Sequence, residues 1–327
     1  MRTAMNEVTI VIPNYNGIEY LKDCLASLRQ DGLDYPAYII VVDNGSEDGS
    51  PAWIQQHYPE IELIALKKNT GFCKAVNLGI HRSKTPYVIL LNNDTKVKTG
   101  FTRALVEAIS RSPKIFSVSA KMLDMKQEGL LDNAGDLYCA LGWAYARGKG
   151  KPAGAYDDPA EIFSACGGAA IYRRSVFAKI GYFDEAHFAY LEDVDMGWRA
   201  RIFGYRNLYE PRAEVLHAGS AASGSRYNSF KTGLSSANNV YLIGKNMPVV
   251  QIILNLPFLL TGFIVKAVFF AAKGMGGIYL AGCFKGLKRC MGKEGQRKKV
   301  PFTMEHFPNY VKLQWELWRN LFLRLMN

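Results

Sequence analysis

A chain of 327 residues with 49% hydrophobic and 21% charged content has the material for a substantial core. It carries no low-complexity stretch or internal repeat that would read as disorder or a solenoid. Its net charge of +11 is uneven: residues 247–327 hold 12 Lys/Arg against 3 Asp/Glu, and the first 246 hold 28 against 26. The basicity belongs to the C-terminal segment, which excludes a nucleic-acid-binding face on the N-terminal part. Six scattered cysteines with no CxxC spacing read as reduced thiols rather than a zinc or disulfide framework. No apolar signal segment precedes the first strand, so the expectation is a chain that is not secreted.

Three apolar runs in the first hundred residues each end in a short polar loop. They are Thr9-Ile-Val-Ile-Pro-Asn-Tyr-Asn16, Ile39-Ile-Val-Val-Asp-Asn-Gly-Ser46 and Val88-Ile-Leu-Leu-Asn-Asn-Asp-Thr95. Short, continuous apolar runs suit strands buried on both faces. Between the first two, Leu21, Leu25 and Leu28 recur at i, i+4 and i+7, predicting a helix from Ile18 to Gln30 that ends near Gly32. After the second, Ser50 suits a helix cap and Pro51 its first turn. Ile61–Leu66 predicts a further short strand, and Asn69 to Gly79 a loop entering a helix. Alternation of strand and helix through residue 110 argues for a parallel sheet with crossover helices.

Residues 124–160 are rich in Gly, Asp, Ala and Lys without a sustained period, and read as a long mobile connection. Order resumes at Phe163–Tyr172, with a helix from Arg174. Another helix spans Glu192 to Gly204, acidic at its start and basic later, in line with its macrodipole. Trp198 lies four residues after Val194 and reads as core, whereas Trp143 and Tyr145, in the irregular segment, are aromatics that could stack on a ligand.

From Pro248 to Ala272 the chain is nearly all apolar, interrupted by Gln251, Asn255, Pro257, Thr261 and Lys266. A spanning helix wants roughly 20 apolar residues. The run 249–265, with its proline, is marginal for that. With the patch Ile278–Phe284 and the basic stretch Lys285–Lys299, an in-plane helical pair at a membrane surface is the expectation; an ordinary core helix is the blander alternative.

In an open α/β sheet the carboxyl ends of the strands form the ligand crevice, so Asn14, Asp43 and Asp94 should meet at one edge. Asp43, as a lone strand-end carboxylate, suits either a turn or a partner for a base or ribose. Asp94 suits a hard divalent cation, held by one or two protein oxygens plus phosphate oxygens. No G-x-G-x-x-G or P-loop is present, so a metal would have to neutralise much of a phosphate's charge. Glu192, Asp193 and Asp195 put three acids into four residues, more than helix capping needs. Adjacent carboxylates raise the pKa of at least one toward a useful general base. Gly167 and Gly168 allow a close backbone approach to a ligand, or form a plain turn.

Taken in order, these residues resemble the family 2 glycosyltransferases of the GT-A fold, in particular their rhamnosyl- and galactofuranosyl-transferase-like branch. The resemblance covers roughly residues 7–245. Its motifs are Val11-Ile-Pro-Asn-Tyr-Asn16, Val42-Asp-Asn-Gly-Ser46, Asn69-Thr-Gly-Phe72 with Asn77 and Gly79, Leu90-Leu-Asn-Asn-Asp94, Gly167-Gly168, Glu192-Asp-Val-Asp195 and His217. It implies an α/β fold, Rossmann-like with a mostly parallel sheet flanked by helices, over residues 1–246, and a helical membrane-associating segment over 247–327.

The resemblance also implies roles. Asp43 would read the base or ribose, with Pro13, Asn14, Tyr15, Asn16, Asn44, Ser46, Asn69, Gly71, Phe72, Asn77, Asn92 and Asn93 around the nucleotide-sugar. Asn92 to Asp94 occupy the D-x-D metal position, where Asn92 replaces an acid, and His217 completes the metal shell for Mn²⁺ or Mg²⁺. Asp193 would be the base and Glu192 would position the acceptor, with Gly167, Gly168 and Asp195 at donor sugar or acceptor. The implied protein is an inverting hexosyltransferase at the cytoplasmic membrane face, peripheral or monotopic. It would move a rhamnose- or galactose-type sugar from UDP or dTDP to a growing glycan or lipid-linked acceptor. The alternatives are a polyprenyl-phosphate glycosyltransferase and a non-catalytic membrane-bound nucleotide-sugar scaffold.

Overall fold

The computed structural model describes residues 8–31, 35–219 and 227–326. The predicted end of the first helix near Gly32 lies outside them. In chain order the N-terminal half comprises β1 (Val8–Asn14), α1 (Ile18–Asp31), β2 (Ala37–Asp43), α2 (Ser50–His57), β3 (Glu62–Ala65), α3 (Phe72–Arg82), β4 (Tyr87–Leu91), β5 (Thr95–Val97), α4 (Phe101–Ser110) and β6 (Ile115–Asp124). Next come β7 (Leu131–Asn133), β8 (Asp136–Cys139), β9 (Trp143–Ala146), β10 (Ala160–Ile162), β11 (Ala169–Arg173), α5 (Arg174–Ile180), α6 (Glu192–Ile202) and β12 (Arg206–His217). The helices α7 (Ser229–Asn246), α8 (Val249–Ala272), α9 (Gly276–Met291), α10 (Lys293–Lys298) and α11 (Phe307–Met326) complete the described chain.

One sheet runs in the order β10-β12-β6-β11-β4-β1-β2-β3. The expected parallel alternation holds for β4-β1-β2-β3. The sheet is nevertheless mixed, because β11 inserts antiparallel between β4 and β6. β12 then pairs parallel with β6. Two reversals restore direction, so the ends of β1, β2, β4 and β12 and the start of β11 all lie at one sheet edge. Val11, Val41, Val88, Ile89 and Leu90 are fully buried, as strands covered on both faces require.

Two local readings are corrected. Ser50 is not the cap of α2: Gly49 holds that position, and Asp48 accepts from the Ser50 amide at 3.0 Å and from the Ile18 amide at 2.9 Å. Residues 124–160 are not an unstructured connection. β8 and β9 form a hairpin that packs on the far C-terminal helix: Ala140 N–H donates to Leu317 O at 3.1 Å, and Asn320 Nδ2 to Tyr138 O at 2.9 Å. Trp198 is fully buried beside Tyr138 and Phe163, in a core cluster that Leu313 and Leu317 complete. All six cysteines are free.

A buried ionic cluster ties α6 to the C-terminal helices. Lys245 Nζ lies 2.9 Å from both Asp184 Oδ2 and Asp195 Oδ2, and Arg199 Nη2 lies 2.8 Å from Asp195 Oδ2. Burial alone would raise both carboxyls; Lys245 with Lys298 outweighs it at Asp184, and Arg199 with Lys245 at Asp195, so both are held below the usual range. Lys245→Met keeps the stem but leaves these acids short of a cation, and should lower the unfolding free energy by about 3 kcal/mol at pH 7. Acids with depressed folded pKa values contribute above their unfolded value of about 4 and lose that contribution as pH falls. Urea midpoints of wild type and variant should therefore converge below about pH 4.

Candidate active site

The strand ends open into a cleft of about 840 Å³. Pro13, Asn14, Tyr15, Asn44, Asn69, Gly71, Phe72, Asn92, Asn93, Asp94, Gly167, Gly168, Glu192, Asp193 and His217 all line it. Convergence follows from the topology, since the loops after β1, β2, β3 and β4, the end of β12 and the turn before β11 lie at the same edge of the sheet, where the start of α6 meets them.

On the side of β1 and β2, amides form a relay. Asn14 Nδ2 donates to Asp43 Oδ1 at 2.8 Å, and Asn93 Nδ2 donates to Asn14 Oδ1 at 2.7 Å. The other oxygen of Asp43 accepts from the Ser46 amide at 2.9 Å. Asp43 is thus buried and reaches the cleft only through Asn14. Asn16 and Ser46 do not line the cleft: Asn16 is exposed and Ser46 half-buried beside it, with the Asn16 amide donating to Ser46 Oγ at 2.9 Å. Asn44 holds the next loop, its Oδ1 accepting from the Thr70 amide at 2.8 Å and its Nδ2 donating to Gly71 O at 3.1 Å. Gly71 has φ +89°, and a Cβ there would stand 2.6 Å from the Phe188 ring, so only glycine fits.

Two expected ligand residues point elsewhere. Asn77 clamps the backbone of Phe183, donating to its carbonyl at 2.8 Å and accepting from its amide at 3.1 Å. Asp195 belongs to the ionic cluster, its Oδ1 accepting from Asn246 Nδ2 at 2.8 Å. Both are structural, because every polar atom that could face a sugar is committed inside the protein.

At the end of β12, His217 Nε2 lies 3.3 Å from Asp94 Oδ1, and its Nδ1 lies 2.8 Å from Asp132 Oδ2. Burial opposes charge on this imidazole, but Asp132 and Asp94 on either side outweigh it and raise its pKa to about 9. The donor set fits a divalent cation. A carboxylate on Nδ1 fixes the tautomer and leaves Nε2 beside Asp94, the arrangement common around metal-ligating histidines.

The opposite wall carries the acids of α6. Asp193 Oδ1 accepts from the Val194 amide at 2.7 Å, and Oδ2 accepts from the Gly167 amide at 3.4 Å. Its carboxyl also pairs with that of Asp136, and burial raises the pKa of Asp193 despite these donors. Burial, then the charge of Asp193, pushes Asp136 well up. The same two effects raise Glu192, whose Oε2 is buried with no hydrogen-bond partner among the described residues. The loop leading into α6 holds Phe188, Tyr190 and Leu191 at positive φ of 62°, 68° and 66°. Asn238 of α7 fastens it, with Nδ2 within 2.9 Å of the carbonyls of His187, Ala189 and Tyr190.

Residues 9–181, more than half of the chain, match the family described as Glycosyl transferase family 2. The chain belongs to that family. An N-acetylglucosaminyl-diphospho-decaprenol L-rhamnosyltransferase of Mycobacterium tuberculosis is 31% identical over 235 residues, which is 64% of this chain and 75% of the relative. A poly-beta-1,6-N-acetyl-D-glucosamine synthase of Staphylococcus epidermidis is 24% identical over 63% of this chain, which spans about half (48%) of that protein. Among solved structures, S. aureus TarS 1-349 in complex with UDP-GlcNAc superposes with a TM-score of 0.58 at 15% identity, over 89% of this chain and 83% of that one. GalNAc-T7 with UDP, GalNAc and Mn²⁺ gives 0.60 at 15% identity, over 74% of this chain and 48% of that one. These likenesses show the fold, which is the expected α/β glycosyltransferase architecture with an apolar C-terminal helix.

Sequence reasoning missed Asp132 and Asp136, because their region reads as mobile. The available signal was Asp136 standing directly before Leu137-Tyr-Cys139, a short apolar run at the start of a strand. Trp143 and Tyr145 serve the C-terminal contact: Trp143 Nε1 donates to Gly262 O at 3.1 Å and Tyr145 Oη to Asn320 O at 2.7 Å. Tyr145 still borders the cleft.

Proposed function

We propose that this glycosyltransferase is inverting and cation-assisted. It moves a rhamnose- or galactose-type sugar from UDP or dTDP to a hydroxyl of a growing cell-surface glycan or lipid-linked acceptor at the cytoplasmic membrane face. One observation carries the reading: a carboxyl raised by burial, Asp193, shares a cleft with the Asp94–His217 pair and the strand-end amides. The nucleotide lies along Asn14, Asn44 and Asn69, with Tyr15 exposed at the rim for the base. Asp94 and His217 would hold Mn²⁺ or Mg²⁺, and such an ion would supply positive charge to offset that of the departing diphosphate. Asp193 takes the acceptor hydroxyl's proton as that oxygen bonds to the anomeric carbon and the bond from anomeric carbon to phosphate oxygen breaks on the other face. Glu192 Oε2 offers the acceptor a second contact. A base with a raised pKa works best near the operating pH.

Membrane association is supported by the inverted polarity of α8, the one described helix long and apolar enough to cross a membrane. Its buried residues are Gln251, Asn255, Leu259 and Gly262, while Val250, Ile253, Ile264 and Val268 are more than 60% exposed. Asn255 and Gln314 exchange side-chain hydrogen bonds of 2.7 and 2.9 Å. A helix that turns its amides inward and its aliphatic side outward is solvated by lipid.

Asp193→Asn should lower transfer on the order of 10³-fold while UDP affinity stays within twofold. Because the carboxylate form is the base and its pKa is raised, wild-type kcat/KM should fall on acidification at a pH above the ordinary value of about 4. Turnover retained by the variant would remove Asp193 as the base. His217→Ala should weaken Mn²⁺ binding in the presence of UDP at least about tenfold, measured by Mn²⁺ titration. An unchanged affinity would sink the ligand assignment. Pairing Ile253→Glu with Ile264→Glu should reduce co-sedimentation with anionic vesicles at least about tenfold, and full retention would contradict a lipid-facing α8.

A further inference from the structure

A second cavity, of about 900 Å³, opens beside the cleft. The two share a wall formed by Ala144, Tyr145, Tyr190, Leu191 and Ser235. Its charged lining is one-sided: Lys149, Lys231, Lys266 and Arg324 against Asp124 alone. Lys266 interrupts the apolar run of α8 on the same inward stripe as Gln251, Asn255 and Gly262. Its ammonium stands 5.6 Å from the centre of the Trp143 ring and forms no ion pair with a described carboxylate. Arg324 lies 5.4 Å from the centre of the Tyr145 ring and likewise has no carboxylate partner among the described residues. The remaining wall is aliphatic and aromatic, with Val265, Phe269 and Phe270 of α8. Continuing along α8, the surface is the exposed apolar side described above.

Two cations stacked on rings without counter-ions, beside an apolar helix that faces lipid, complement a molecule with an anionic head and a hydrocarbon tail. The head must lie close enough to the cleft for an attached sugar to reach Asp193. We propose that this cavity seats the acceptor as a lipid-linked sugar diphosphate. Lys266 and Arg324 hold the phosphates, and the apolar side of α8 carries the chain into the bilayer. The shared wall at Tyr145 and Leu191 then passes the attached sugar from the cavity to the base. This inference rests on the glycosyltransferase reading and narrows its acceptor to a diphosphate carried on a lipid.

Farnesyl diphosphate is a suitable probe, titrated into the full chain with UDP and Mn²⁺ saturating the donor cleft. Wild type should bind it, and Lys266→Met and Arg324→Met should each weaken binding about tenfold, whereas Lys266→Arg retains it. UDP affinity of the same variants reports whether they are folded. Wild-type affinity in both methionine variants would overturn the proposal. So would inorganic pyrophosphate competing as well as farnesyl diphosphate, since that describes an anion site with no lipid component. If wild type binds UDP with Mn²⁺ but not farnesyl diphosphate, the acceptor assignment falls and the donor reading stands. If UDP does not bind either, the reading beneath it falls.

Discussion

The ammonium of Lys245 sits between two parts of the chain that would otherwise repel one another. Asp184 begins the loop that leads to the cleft wall bearing Glu192 and Asp193, Asp195 lies in the first turn of α6, and Lys245 comes from α7. Two buried carboxylates this close cannot both stay ionised without a cation between them. With the cation in place, α7 is fixed against α6, and Asn238 on α7 reaches the carbonyls of His187, Ala189 and Tyr190. Those bonds hold three non-glycine residues in the left-handed region, each at a cost of about 1 kcal/mol or more. The strained loop sets where Glu192 and Asp193 start. The position of Asp193, the proposed base, therefore depends on an ion pair set apart from the cleft lining.

The opposite wall solves a different electrostatic problem. Its described cleft residues are amides, Asn14, Asn44, Asn69, Asn92 and Asn93, which can match a sugar or a base but carry no charge. No glycine-rich loop offers backbone N–H groups to phosphates. Among the described lining residues, charge of the right sign comes from Lys231 and from His217, whose proton a metal ion bound beside Asp94 would replace. Asp132 makes this workable, because it orients His217 while Lys149 offsets its own charge. Asn92 weakens the acidic character of the loop after β4, and Asp132, brought from β7, supplies a carboxylate behind the histidine instead.

What was legible in the sequence was local. β1, β2 and β4 announced themselves as continuous apolar runs, and their shared direction defined the crevice edge, so the positions of Asn14 and Asp94 at strand ends sufficed to place them together. The acids of α6 stood out as an excess over capping. Illegible were the features that exist only through distant partners. β8 and β9 are four residues each and owe their order to α11, which lies over 170 residues further on. Residues 124–160 therefore looked loose, and Asp136 went unseen. Asn77 and Asp195 carry the right chemistry at a motif position, yet their side chains are spent on Phe183, Lys245 and Arg199. Residue type marks a candidate, and only the packing around it decides which way it faces.

The C-terminal segment repeats that lesson in reverse. Gln251, Asn255 and Lys266 read as blemishes in a membrane helix, whereas they and Gly262 form its inward stripe. A Cβ at Gly262 would stand 2.0 Å from Leu141 O, so α8 lies directly against the turn of the β8–β9 hairpin. The hairpin presents Asp136 to Asp193 on one side and receives α8 and α11 on the other. Whatever fixes α8 relative to a bilayer also fixes the hairpin, and with it the pair of carboxyls in the cleft. An appendage that only tethered the enzyme would need no such contact. The close packing makes the apolar outer side of α8 and the Asp136–Asp193 pair parts of one packed unit, so on the proposed reading the distance from a bilayer to the reacting hydroxyl is set by the fold rather than by a flexible linker.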